Sequence, residues 1–251
     1  MTNRRVRHVA LVAMIALTGC SQGPGTTATT TSPPGTPSPT GEPSPTPTIQ
    51  DIVELEDFAP LEPGTYFIDP DADPSTPLRV VYQVPVEGWS EWLGAVKFRE
   101  PDGHVGVSIG TVTNLVSHGC RDHSPADPPV GTSVDDLATA LADLAPFRLK
   151  SPPKDVTIYG YSGKHLELTV PDLPVAGGGF AGCAGGNLKS WIAPTHGDAA
   201  FYGYGPGETE EFWILDVEGT RLMIAAERSP GSPRKDLAEQ GAVLDSIRIE
   251  P

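Results

Sequence analysis

The sequence predicts an α+β domain, a largely antiparallel β-sheet packed against about two helices. Three observations carry that expectation. Short runs rich in Val, Ile and aromatic residues recur between residues 65 and 116. Two segments alternate apolar with polar residues on either side of a glycine-containing turn. Two stretches far apart in the chain place leucines at helical spacing behind a capping residue.

Ahead of these elements stands a leader. Arg4, Arg5 and Arg7 precede an apolar run from Val9 to Leu17, which is a signal peptide's layout. Spanning a bilayer takes roughly 20 apolar residues, and this run stops well short. Leu17-Thr18-Gly19-Cys20 resembles a bacterial lipobox. That resemblance implies cleavage before Cys20 and a diacylglycerol on its thiol, a lipid anchor at the extracytoplasmic face of the cell membrane. Residues 1–19 are then the signal peptide.

Residues 21–47 are almost all Thr, Ser, Pro and Gly, with Glu42 the only charge. Such a segment buries too little apolar surface to offset its ordering entropy. Its prolines favour extended conformations, so residues 20–48 are expected to form a tether between lipid and folded domain.

The domain proper runs from residue 49 to 251, long enough for one sizeable core. Residues 65–68, 78–84, 93–98 and 105–116 read as strands of a meander. A helix is predicted over residues 134–144, with Ser133 as N-cap, Asp135 and Asp136 in the first turn, and Leu137, Leu141 and Leu144 on one face. A hairpin follows: residues 155–159 and 164–170 around Gly160-Tyr161-Ser162-Gly163. The second hairpin joins residues 212–217 to 220–226 through Glu218-Gly219. Ser232-Pro233 then caps and opens a second helix, with Leu237 and Leu244 facing a core and Ile247 and Ile249 beyond it.

Charge and cysteines narrow the function classes. The whole chain carries 17 Lys+Arg against 32 Asp+Glu. Loss of the leader removes three arginines and no acid, so the mature chain is more acidic still. Nucleic acid is an unfavourable partner for such a surface. Of three cysteines, one is assigned to lipid, and an oxidising compartment favours pairing the other two, Cys120 with Cys183.

Motifs for chemistry are incomplete. Gly160-Tyr161-Ser162-Gly163-Lys164 lacks the last glycine of a nucleophile elbow and sits in a hairpin. Gly177-x-Gly179-x-x-Gly182 lacks the strand before and the helix after that a dinucleotide site requires. Asp69-x-Asp71-x-Asp73 begins like a calcium loop, but Pro74 replaces its glycine and Val80 its bidentate acid. His118 and His123 flank Cys120 at a range suited to zinc, in competition with the disulfide. Trp89, Trp92 and Trp191 are the candidates for lining a ligand cleft. No cofactor is expected.

The stretch Val84-Pro85-Val86-Glu87-Gly88-Trp89 resembles a strand end of PsbP-like domains, as do residues 212–222 followed by a helix closing on Leu244-Asp245-Ser246-Ile247. Residues 136–141, residues 155–164 and the pair Cys120/Cys183 resemble actinobacterial secreted lipoproteins of uncharacterised function. The resemblance spans about residues 60 to 251. It implies a PsbP-like fold and a binding or assembly role toward an envelope ligand or protein, with an envelope hydrolase or a weak calcium or zinc protein as the alternatives.

Overall fold

A computed structural model describes residues 49–99, 103–194, 199–203 and 205–251, with residues 199–203 described by backbone. The expected signal peptide, Cys20 and the tether lie outside the described residues. The chain opens with β1 (Gln50–Asp51), β2 (Pro60–Leu61), β3 (Gly64–Ile68), β4 (Arg79–Val84), β5 (Trp89–Glu91), β6 (Gly94–Arg99) and β7 (Gly103–Thr111). Next come β8 (Asn114–His118), β9 (Asp122–Pro125), α1 (Val134–Ala142), β10 (Arg148–Ile158) and β11 (Tyr161–Thr169). The remainder comprises β12 (Val175–Ala176), β13 (Gly179–Phe180), β14 (Leu188–Ala193), β15 (Ala199–Gly203), β16 (Thr209–Val217), β17 (Thr220–Arg228), α2 (Arg234–Asp245) and β18 (Arg248–Glu250).

Among the described residues the fold is mainly β with two α-helices. Its centre is an eight-stranded antiparallel sheet ordered β10-β11-β16-β17-β7-β6-β5-β2. Smaller sheets, β1-β3-β4-β18 and β15-β14-β8-β9, accompany it, and of the described pairings only β1 with β3 is parallel. The sequence alone anticipates one sheet with helices against it. The structure instead covers the central sheet on both faces with further strands as well as helices.

Strand alternation explains the two layers. Val105, Val107 and Ile109 of β7, Leu222 and Ile224 of β17, and Leu215 and Val217 of β16 join a core with β3, β4 and Val243 of α2. Met223 and Ala225 of β17, Phe212 and Ile214 of β16, and Leu166 and Leu168 of β11 point the other way. There they meet Leu137 and Leu141 of α1, Leu115 and Val116 of β8, and Leu188, Trp191 and Ile192 of β14. Each fully buried Leu, Ile or Phe contributes about 1.5–3 kcal/mol, so both cores are substantial.

Local signals hold in places and fail in others. Ser133 caps α1 in a complete capping box with Asp136. The second hairpin turns at Glu218-Gly219, with φ of 51° and 90°, the doubly positive pattern of a two-residue turn. The first hairpin turns earlier than expected, at Tyr159-Gly160 (φ 55° and 89°), and Gly163 lies inside β11. A Cβ on Gly163 would stand 2.0 Å from the Ile214 carbonyl oxygen, so this glycine serves close strand approach rather than a turn. Residues 105–116 form two strands, because after Thr111 the chain leaves the central sheet to pair β8 with β14. Ser232 does not cap α2, whose N-cap is Pro233; the Ser232 hydroxyl donates to the His104 and Ser229 carbonyls. Pro152 and Pro153 sit within β10, the edge strand, where a missing N–H is tolerated.

Candidate functional site

One end of the sheet face shared with α1 is polar. In β7 the residues alternating with Val105, Val107 and Ile109 are His104, Gly106, Ser108 and Gly110. Register sets Glu227 of β17 opposite both Gly106 and Glu210 of β16. The result is a buried group, with His104 4%, Glu208 0%, Glu210 3% and Glu227 4% exposed. A side chain at Gly106 would meet the Glu227 carboxyl at 2.7 Å, so the glycine makes the space that the acid occupies.

The Ser108 hydroxyl donates to Glu227 Oε1 at 2.8 Å, while Glu227 Oε2 is buried without a hydrogen-bond partner. Burial pushes the Glu227 carboxyl up to about 7, with Glu208 adding to the rise and His104 and Ser108 opposing it. Glu210 is raised well above the usual range by burial, and then by the charges of Glu208 and Glu227. Burial lowers the His104 pKa, but contact with Glu208 and the charges of Glu208 and Glu227 outweigh it and the net direction is upward.

His104 links this group to the surface. The hydroxyl of Ser229 lies 3.1 Å from His104 Nδ1 and accepts the His104 main-chain N–H at 3.0 Å. On the other side, Nε2 approaches Glu208 Oε1 at 3.2 Å, an ion-pair distance without hydrogen-bond alignment. Ser229 lines an open cleft of about 230 Å³ with Thr209, Arg228, Gly231 and Ser232.

Beside the acids lies an aromatic ledge. Phe58, just before β2, stacks on Trp92, just after β5, with centroids 4.8 Å apart and planes 5° apart. Phe98 tilts against Phe58 at 5.8 Å and against the His104 ring at 6.1 Å. Phe58 is 47% and Phe98 44% exposed. Phe58 also has φ +61°, a left-handed conformation costing roughly 1–2 kcal/mol for a side-chain-bearing residue. Its N–H donates to the Glu91 carbonyl at 3.2 Å, and the Glu91 N–H donates to the Ala59 carbonyl at 2.9 Å. These bonds hold the ring in place.

The residues singled out from the sequence scatter. Trp89 and Trp191 are 0% and 1% exposed and pack in opposite cores, so of the three tryptophans only Trp92 reaches a surface feature. Asp71 Oδ1 accepts the Asp73 N–H, and Asp73 Oδ1 accepts from Ser75. Burial and the neighbouring Asp71 carboxyl push Asp69 up to about 6. These three carboxylates thus close a turn upon themselves. His118 Nδ1 accepts the main-chain N–H groups of Cys120 and Arg121, its Nε2 faces the Arg121 guanidinium, and His123 Nε2 contacts the Gly119 carbonyl. Cys120 is bonded to Cys183. Among the described residues no group of three or more His, Cys, Asp or Glu side chains is placed to hold a metal ion.

A second cleft, of about 350 Å³, lies at the start of α1. Its lysine, Lys164, is held by Asp135 and Asp155 at 2.8 and 2.7 Å, and Arg221 donates to the Val112 carbonyl at 2.9 Å. The cleft's cations are spent on the protein itself. No helix among the described residues is long and apolar enough to cross a membrane.

No family model matches the chain, and no curated protein sequence is similar to it. Among solved structures it is similar to LpqN, involved in cell envelope biogenesis of Mycobacterium tuberculosis. The similarity covers 77% of this chain and 90% of that one, at 11% identity and a TM-score of 0.37.

Sequence reasoning missed both the acid group and the ledge. Glu208 and Glu210 alternate with Thr209 and Glu211, a pattern that reads as a solvated strand. Phe58 sits in an Asp-Phe-Ala-Pro stretch that reads as loop. The available signal was weak, two aromatic residues bracketing the paired β2 and β5.

Proposed function

We propose that this chain is a lipid-tethered lipoprotein of the extracytoplasmic membrane face, acting as a non-catalytic binding or assembly accessory at the cell envelope. In this reading residues 1–19 are removed, Cys20 carries the lipid, residues 20–48 are the tether and residues 49–251 do the binding. The lipobox-like Leu17-Thr18-Gly19-Cys20 and the resemblance to PsbP-like domains support it. The binding surface is the ledge of Phe58, Trp92 and Phe98.

The observation that carries this reading is Phe58 itself. A bulky residue is held at φ +61° with nearly half its surface in water, stacked on Trp92. Backbone strain concentrates where function requires it, and here it serves to present a flat apolar ring. A photo-crosslinking residue at Val86, an exposed site outside the ledge, would capture the partner in the native envelope. Capture lost in F58S/W92S, with the fold retained by circular dichroism, supports the ledge; undiminished capture rejects it.

A second reading, an envelope hydrolase, has one observation in its favour, the Ser229–His104–Glu208 relay beside a cleft. Against it, Ser229 Oγ already accepts a main-chain N–H from the same histidine, which draws electron density from the would-be nucleophile. A fluorophosphonate probe that labels wild type but not S229A would establish this reading. An unlabelled wild-type chain would dispose of it.

A further inference from the structure

We infer that the facing carboxyls of Glu210 and Glu227, with Glu208 and His104 beside them, form a proton-binding site that is loaded in the folded chain. Glu210 and Glu227 are direct cross-strand partners, and both are more than nine-tenths buried. Like charges set opposite one another on a sheet are destabilising, and two carboxylates sharing a buried site do not both ionise readily. Glu227 Oε2 has no hydrogen-bond partner, which leaves an acceptor that a proton would neutralise.

The surroundings supply little else. On β7 the neighbours are His104, already beside Glu208, and the hydroxyl of Ser108. On β11, Leu168 stands opposite Glu210, while His165 and Glu167 alternate to the other face and meet Glu211 and Lys150. Arg228 of β17 likewise turns away, to Glu211 and Glu167. Lys97 and Arg99 of β6 lie on the α2 side with Glu239 and Asp236. From α2 comes an uncharged amide, Gln240, whose Nε2 donates to the Gly106 and Glu227 carbonyls at 2.7 and 2.8 Å. Among the described residues no lysine or arginine is ion-paired with Glu210 or Glu227, and none of the acids is grouped to hold a metal. The cation the site takes is therefore the proton, consistent with the upward shift of both carboxyls.

The site lies where β7, β16 and β17 are joined to the turn before α2. Ser229 donates its N–H to the His104 carbonyl at 3.0 Å and accepts the His104 N–H on its hydroxyl. Loss of the proton places a new charge beneath that junction and loosens it.

Infrared spectroscopy of the full chain, with D69N as background because Asp69 is itself pushed up to about 6, reads the site directly. At about pH 6, above the ordinary carboxylate range, a protonated-carboxyl C=O band is expected. E227Q or E210Q should remove a single carboxyl's share of it, and E239Q, whose carboxylate is paired with Lys97, should leave it unchanged. Absence of the band at that pH overturns the inference, as does a band that survives both E227Q and E210Q. If E227Q does not fold, E210Q decides by the same criterion.

Discussion

Glu210 and Glu227 stand opposite each other across β16 and β17, both buried, in a strand pair whose remaining inward residues on that face are Phe212, Ile214, Met223 and Ala225. An acidic pair at the end of an apolar stripe makes stability depend on pH with a definite sign. Glu227 has an ordinary value of 4.5 and is raised to about 7 when folded, so between those values the folded state holds a proton that the unfolded state has released. Stability is therefore greatest at the acidic side of this window and falls as pH rises through it, by on the order of 2–3 kcal/mol. His104, also raised, shifts the balance in the same direction above its ordinary value. Urea denaturation at intervals between about pH 5 and 8 should show this decline in wild type and a flatter profile in E227Q. A wild-type profile rising with pH across that range would contradict it.

The acids Asp136 and Asp236 act oppositely. Hydrogen bonding to Ser133 lowers the first, and bonding to Arg99 lowers the second, so each contributes stability that is lost as pH falls through its depressed value. Together with Glu227 this predicts a stability maximum at mildly acidic pH, seen as a turnover when the denaturation series is extended below about pH 4.

The Cys120–Cys183 bond joins the β8–β9 turn to the glycine-rich segment after β13, across a separation of 63 residues. Closing a loop of that size removes unfolded-state entropy worth roughly 4 kcal/mol in the chain model. C120S/C183S should unfold at clearly lower temperature by calorimetry, with its helix and strand content retained below the transition. An unchanged melting temperature would mean the bond constrains nothing that matters.

Gly163 and Gly160 separate two uses of glycine within one hairpin. An added Cβ at 163 would stand 2.0 Å from main-chain oxygen of β16, whereas at 160 it meets nothing and only the φ of +89° is unfavourable. G160A should cost about 1 kcal/mol. G163A should cost more than about 2 kcal/mol, because strands β11 and β16 must separate to admit it. Denaturant titration of both variants ranks them, and the reverse order would refute the register.

These outcomes mark what a sequence carries and what it does not. The β16–β17 hairpin was legible because its alternation and its Glu218-Gly219 turn agree, and α1 because Ser133 and Asp136 form a local box. The β10–β11 turn was misplaced because Gly163 looks like a turn residue, although its requirement is set by Ile214, far along the chain. Strands β9, β14 and β15 escaped notice and β8 was merged with β7, because the pairing that assembles their sheet, β8 with β14, joins residues far apart in the chain. The acid group was hidden for a related reason. Alternation showed which residues share a face, but whether a second layer covers that face is decided by packing far away in sequence, and both faces of this sheet are covered. The tryptophan candidates divide accordingly, since composition gives no sign that Trp89 and Trp191 are enclosed while Trp92 borders solvent.

Phe58 allows strain and binding to be separated. Replacing it by glycine relieves a left-handed conformation worth about 1–2 kcal/mol. Against that gain stand the added chain entropy of glycine, about 0.5–1 kcal/mol, and the lost stack on Trp92, about 0.5–1.5 kcal/mol. The half-covered ring also gives up about 1 kcal/mol of apolar burial, so F58G should be destabilised by on the order of 1 kcal/mol in denaturation while losing the presented ring. F58A keeps the strained backbone without the ring and should be the less stable of the two. If the ledge binds, both variants lose capture to a similar degree despite their different stabilities. A capture loss that instead tracks stability would assign Phe58 to folding and not to binding.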